Sequence, residues 1–552
     1  MAQGERPARH IRQPSRITTS AIATSSNDSK QRAVKPPSPR DAATILFIKR
    51  VLCSKPTESG PLTEDEISER PLEELLPPLT SSNEIDLQLY AIISVILSQF
   101  VQIWYRRITP DSDFVGEVVQ IIAHCTRGLE ERLRHVDLEV LLLDELPKLF
   151  CTHHDAVQIA RDAGRARYTS SAESHVRSIY HALRPHNALS PPPVDEATSL
   201  VQDENEVDWS QLLVSGIMPL LLPPEDLSNP CLDVLVSEVF SEMIVHKAVL
   251  GKVSEPWLLW ESVTKVVHIV RPRLLKESSF TPTSRLEQFG LLASADSTRH
   301  DDPGARTGTV NTATFAFWSS LQYALVVWTL LRAFVIAILH ASSIQPRPKR
   351  VSRETEASDK TQIMADELAD GPTKNAIAEE RPIVSMRMWS CVERLTSLRH
   401  RMPWLTGSLS LLQWLSLHGP GQMCRTNGAL DRLLSAQVHD RLLNPALLPP
   451  ILHAIRVAVF PDNVLAPPRV QPTNAEVDEI KHECARRIVG AIPEPVRTYY
   501  FGTTEIEIME KDVENKLDIF GDEYMNKHLI VAAVELIVVR LFPELATPMS
   551  TA

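Results

Sequence analysis

Residues 315–341 read FAFWSSLQYALVVWTLLRAFVIAILHA, an apolar run too long and too continuous for an ordinary solvated helix. It exceeds the roughly 20 apolar residues that cross a bilayer. Arg332 stands near its middle, where a cation costs a few kcal/mol in a membrane helix. Arg347, Lys349 and Arg350 follow and would form a cytosolic flank, with Trp318 and Trp328 as further membrane-contact candidates. Three arrangements accommodate the run: a helix buried as a wall between two domains, a shallow or hairpin insertion, or a true span. A single span would place the segments before and after it on opposite sides of the membrane.

The rest of the chain reads as helices. Ile92, Ile93, Ile96, Phe100 and Ile103 recur at intervals of three and four, and Val118, Ile121, Ile122 and Leu129 continue the pattern. The run LEVLLLDELPKLF is helical with a disturbance at Pro147. Pro461, Pro467 and Pro468 end a helix over 451–460, and a new one starts at Asn474, read as its cap, with Glu476 and Asp478 in the first turn. Residues 529–542, LIVAAVELIVVRLF, are apolar on nearly every side, as in the centre of a bundle. Strand-like alternation is rare, so the expected fold class is all-α.

At 552 residues the chain has room for two domains. The expected organisation is a disordered basic arm over 1–42, a helical domain over 85–270, the long apolar helix over 312–343, a flexible linker over 344–382 and a second helical domain over 383–546. The 41 prolines fit these breaks. A net charge of −12 gives no electrostatic case for nucleic acid. Seven cysteines without C-x-x-C spacing indicate neither a disulfide framework nor a zinc site.

No catalytic constellation emerges, and the expectation is that the chain is not an enzyme. His153 and His154 sit beside Cys151 and Asp155, but adjacent histidines face different sides of a helix and no H-x-x-x-H spacing supports a metal. Neither a G-x-S-x-G elbow nor a phosphate-binding glycine loop is present. No cofactor is implied.

Short elements recur in order near the C-terminus: FPDNVLAPP, AIPEPVRTYYFG, MNKHL and LFPEL. Together they resemble the C-terminal domain of sorting nexins. The segment 85–263 resembles the PX-associated (PXA) domain, through Trp104, Tyr105, Asp113 and Phe114, ERLRHVD, His153 and His154, WSQLLVSGIMPLLLPP, VSEVFSEMIVHKAV and VSEPW. It departs from that pattern at Asp233 and at HNAL over 186–189. The pair resembles a minimal, fungal-type relative of the RGS-containing sorting nexins, without PX or RGS domains.

The resemblance implies two packed helical domains enclosing an apolar cavity for phospholipid or another acyl lipid. It also implies residence on the cytosolic face of the endoplasmic reticulum or at organelle contact sites, with a membrane surface and a contact-site protein as partners. Candidate cavity walls are Ile96, Phe100, Leu220, Leu221, Leu222, Val239, Phe240, Val327, Leu331, Val534 and Val538. The competing expectation is a tether or scaffold that carries no lipid.

Overall fold

The computed structural model describes residues 39–53, 70–108, 113–165, 172–278, 310–341, 381–419, 424–460 and 471–546, with Ser343 and Arg347. Among them no strand occurs, and the fold is all-α. The first half contains α1 (Pro39–Leu52), α2 (Asn83–Ile96), α3 (Asp113–His135), α4 (Leu146–Arg165), α5 (Ala172–Leu183), α6 (Glu196–Leu221), α7 (Pro230–Glu238) and α8 (Pro256–Ser278). The long apolar helix is α9 (Val310–Ala341). The second half contains α10 (Met388–Leu395), α11 (Pro403–His418), α12 (Ala429–Arg441), α13 (Leu448–Val459), α14 (Asn474–Ala491), α15 (Glu494–Phe501), α16 (Ile506–Leu517) and α17 (Glu523–Leu541). Helix α1 begins inside the stretch read as a basic arm, whose remainder, like most of the linker, lies outside the described residues.

Local chemistry explains several boundaries. A π-helical turn over Leu141–Glu145 precedes α4, where the chain was expected to be disturbed because Pro147 has no N–H to donate. A longer π-helical stretch, Val239–Lys252, continues α7. Helix α14 does begin at Asn474, but its cap is Thr473. The Thr473 hydroxyl donates to Glu476 at 3.0 Å, and the same carboxylate accepts the Thr473 backbone N–H at 2.7 Å.

The halves inferred from the sequence are not separate bodies. Trp260 of α8 packs with Cys484, Val489, Met509 and Leu517 of the second half. Val157 and Tyr180 share a core with Ile519 and Met525, and Leu189 and Leu250 share one with Val531. Leu143 packs with Ile383 and Met386. Helix α13 lies on α2, α14 on α8, and α17 against α3, α4 and α5.

Polar groups from both halves pair across these cores. Arg132 donates to Glu544 at 3.0 Å and to the Leu541 carbonyl at 3.3 Å, with its guanidinium 4.7 Å from the Phe542 ring centroid. Asn526 donates to the carbonyls of Ser254 and Phe520. Lys527 meets Glu206, which is 1% exposed, at 3.0 Å. Trp209 donates to Glu535 at 3.0 Å. The ERLRHVD, MNKHL and LFPEL elements are therefore contacts of one half with the other.

Behind α17 lies a buried cluster of histidines and tyrosines. His153 Nδ1 and the Tyr180 hydroxyl are 2.8 Å apart, and His528 stacks edge-on against Tyr180, His181 and Tyr524. Burial holds the imidazole pKa down to about 4 at His153 and about 3 at His528, where the neighbouring histidines and Arg184 add to the effect.

The first prediction concerns the shared cores. Residues 82–278 expressed alone should be insoluble or molten, and co-expression with 381–546 should restore a cooperative unfolding transition. A well-folded isolated segment, seen as dispersed amide NMR signals, would refute the shared cores. The second concerns pH. An unfolded histidine takes up its proton near pH 6.5, whereas these two stay neutral in the fold down to about 4 and 3. Below about pH 6.5 the unfolded chain therefore binds more protons, and stability should fall by up to about 1.4 kcal/mol per pH unit per histidine. In denaturant titrations, His153→Gln/His528→Gln should be less stable at neutral pH but lose less on acidification. An unchanged pH slope would remove these histidines from the account.

Candidate functional site

The predicted wall residues fall into three places. Leu222 is buried with Val214 and Met218 in ordinary core packing. Leu220 and Leu221 are half-buried at the end of α6, Val239 and Phe240 begin the π-helical stretch, and Val534 and Val538 are half-buried on α17. The π-helical stretch packs on both α6 and α17, so these three elements form one neighbourhood. This neighbourhood is open: Phe240 is 42% exposed, and Val239, Met243, Ile244, Ile537 and Val539 are exposed with it. Ile96 lies apart on α2 and is exposed, and the Phe100 side chain lies outside the described residues.

Val327 and Leu331 form the third place, on α9. They are 63% and 52% exposed, which overturns the expectation that α9 is a wall buried between domains. Residues 320–341 have the length and hydropathy of a membrane helix, with only 7% of the apolar window buried. Trp318 and Trp328 are exposed, as a membrane-contact role requires.

Arg347 has a different role from the one predicted. Instead of flanking a membrane helix, its side chain is 12% exposed and lies 3.3 Å from Glu139 and 3.4 Å from the fully buried Asp431. The Arg347 backbone N–H donates to Asn427 at 2.8 Å. Asp431 also accepts the backbone N–H groups of Ile383 and Asn427, and Glu139 accepts from Ser435 at 2.9 Å. This hub fixes the chain just after α9 to α12 and to the first half. Lys349 and Arg350 lie outside the described residues.

A second apolar helix escaped the sequence reading. From Pro403 to Leu417, α11 carries no charged side chain and has no buried residue, and it exposes Trp404, Leu409, Leu411, Leu412, Trp414 and Leu415. The detectable signal was its lack of charge over four turns, next to the basic residues Arg399, His400 and Arg401. Gln413 donates to the Val384 carbonyl at 2.7 Å, which sets α11 beside the hub that anchors α9.

Two clefts have a different character. One, of about 670 Å³ between α8 and the start of α14, is lined by Glu261, Glu476, Glu479 and Glu483 among others. The other, of about 280 Å³, lies where α4, the end of α5 and α17 meet. None of the predicted wall residues lines either. Among titratable groups near a surface, Lys516 is the most shifted cation: burial, then Arg401, lowers its pKa to about 8. Its ammonium donates to the Tyr500 hydroxyl at 2.6 Å and the Thr396 carbonyl at 3.1 Å. Among the described residues no group of three His, Cys, Asp or Glu side chains could hold a metal.

Comparison with known protein families matches residues 82–266 to the PXA domain. The chain is 30% identical to PXA domain protein 1 of Schizosaccharomyces pombe over 158 residues, which is 29% of this chain and 29% of that protein. It is 23% identical to Sorting nexin-14 of Danio rerio over 207 residues, 38% of this chain and 21% of that protein. The matched part thus spans less than a third of either relative. No solved structure matches the chain. Residues 82–266, which supply Arg132, Glu206 and Trp260, are thus similar to a PXA domain.

Proposed function

We propose that the chain is a membrane-attached protein that binds and transfers acyl lipids at endoplasmic reticulum membranes or organelle contact sites, without covalent chemistry. The observation that carries this is α9: its C-terminal end packs on α12, but the apolar side chains described over most of its length are exposed and need a lipid or apolar covering. The two halves share their cores, so a single crossing by α9 would separate segments that pack together. Both ends of α9 therefore stay on one side, and the helix inserts without crossing. Gln322, Thr329, Arg332 and His340 fall within about 80° of one another around its axis, an arc they share with Trp318, Leu325 and Ile336, so the few polar groups of α9 can reach the headgroups from one side.

The open apolar neighbourhood of α6, the π-helical stretch and α17 would then take up an acyl chain. Withdrawing a chain exposes methylenes worth about 0.8 kcal/mol each, on the order of 10 kcal/mol for one of ordinary length, unless apolar surface receives it. The likeness to a protein named as a sorting nexin supports action in membrane trafficking. A second reading, a tether that binds membrane through α9 and α11 and carries no lipid, is favoured by the exposure of Val239 and Phe240.

Mass spectrometry of lipids extracted from the purified full chain should find one acyl lipid class enriched over an unrelated helical control. Val538→Arg, checked for an unchanged melting curve, should lower that content about tenfold, the effect of about 1.4 kcal/mol. Lipid-free protein that still floats with vesicles would establish the tether instead.

A further inference from the structure

The smaller cleft gathers cations at the seam between the halves. Lys148 projects from α4, Arg184 follows the end of α5, and Arg540 comes from α17, with Leu536 among the apolar lining and Glu145 as the lining's one carboxylate. Glu145 is already engaged by Arg540, through a 2.8 Å bond from Nε and a second from the guanidinium terminus. Among the described residues, the side chains of Lys148 and Arg184 have no ion-pair or hydrogen-bond partner. Three cations against one engaged carboxylate leave two positive charges uncompensated, in a chain whose net charge is −12. The C-terminal end of α5 favours a cation at Arg184, but that accounts for neither Lys148 nor the convergence.

We propose that this cleft holds the phosphate of a glycerophospholipid headgroup, a reading that rests on the lipid-binding function above and gives it a chemical class. A volume of about 280 Å³ is slightly below that of a whole small-molecule site, so it suits a phosphate ester and leaves the acyl chains outside. Leu149 and Leu536, both half-buried, give the cleft an apolar side, as an amphiphile requires. Arginine and lysine donors converging on one point are the usual way to recognise phosphate, arginine by its planar fork and lysine as a point charge.

The test is vesicle flotation of the full chain at fixed ionic strength, using phosphatidylcholine vesicles with and without phosphatidate. The chain should prefer phosphatidate vesicles. Lys148→Gln/Arg184→Gln should reduce that preference roughly 30-fold, about fivefold per charge. Lys148→Gln alone, at an exposed position, should show the single-charge effect even if the double variant is unstable. A folded variant that keeps the full preference overturns the site. Release from vesicles by glycerol 3-phosphate at concentrations comparable to the lipid overturns the headgroup assignment in favour of a soluble phosphate ester. The lipid content of the purified protein separates the two readings. If wild type carries no lipid yet shows a preference that depends on the cleft, the cargo reading fails and this site stands. If lipid co-purifies and the double variant retains the same headgroup class, this site fails and the cargo reading stands.

Discussion

The burial of α17 against α3, α4 and α5 is the contact that makes one body of two sequence regions. Much of what it buries is polar. Lys527 enters a site where Glu206 would otherwise lose its water with only Gln202 as a donor, and Asn526 satisfies two carbonyls from different segments. The Lys527–Glu206 pair adds little net stability over apolar packing of the same volume, but removing one partner costs about 3–5 kcal/mol because the other stays buried and charged. It therefore penalises every docking of α17 except this one. The insertion proposed for α9 draws on the same closure, since joined halves cannot lie on opposite sides of a membrane.

The all-α class was legible because helical periodicity and proline breaks are local properties. The recurring elements near the C-terminus were legible as a signature, yet their physical purpose was not. Arg132 and Glu544 are separated by most of the chain, and nothing local says that they meet. Arg347 shows the reverse problem. A basic cluster after an apolar helix has the form of a membrane flank, and the two carboxylates that claim Arg347 lie far from it in sequence. The wall residues divided for a related reason: Leu222 and Phe240 are equally apolar in sequence, but only packing makes one core and the other surface. Helix α11 escaped because its 16 residues fall short of a spanning length and its serines interrupt the apolar run.

Charge and apolar surface are kept apart in this fold. Among the described residues, acidic side chains line the cleft between α8 and α14, cations gather where α4, α5 and α17 meet, and the largest uncovered apolar helices, α9 and α11, flank the Asp431 hub. A membrane interface sorts the same properties by depth, with anionic headgroups outside and hydrocarbon within.

The attachment of α9 has a mechanical consequence. At 1.5 Å per residue its 32 residues make a rod about 48 Å long. Just beyond its end, the chain is fastened through Arg347 to Glu139 and Asp431, whose carboxylates belong to opposite halves of the body. A flexible leash would let the body swivel, whereas a rod whose own end is buried against α12 transmits torque. On the proposed insertion, the orientation of α9 in the lipid would fix which face of the protein looks down and which looks outward. At a membrane, an attachment of that kind would make the molecule a fixed bracket with a defined heading.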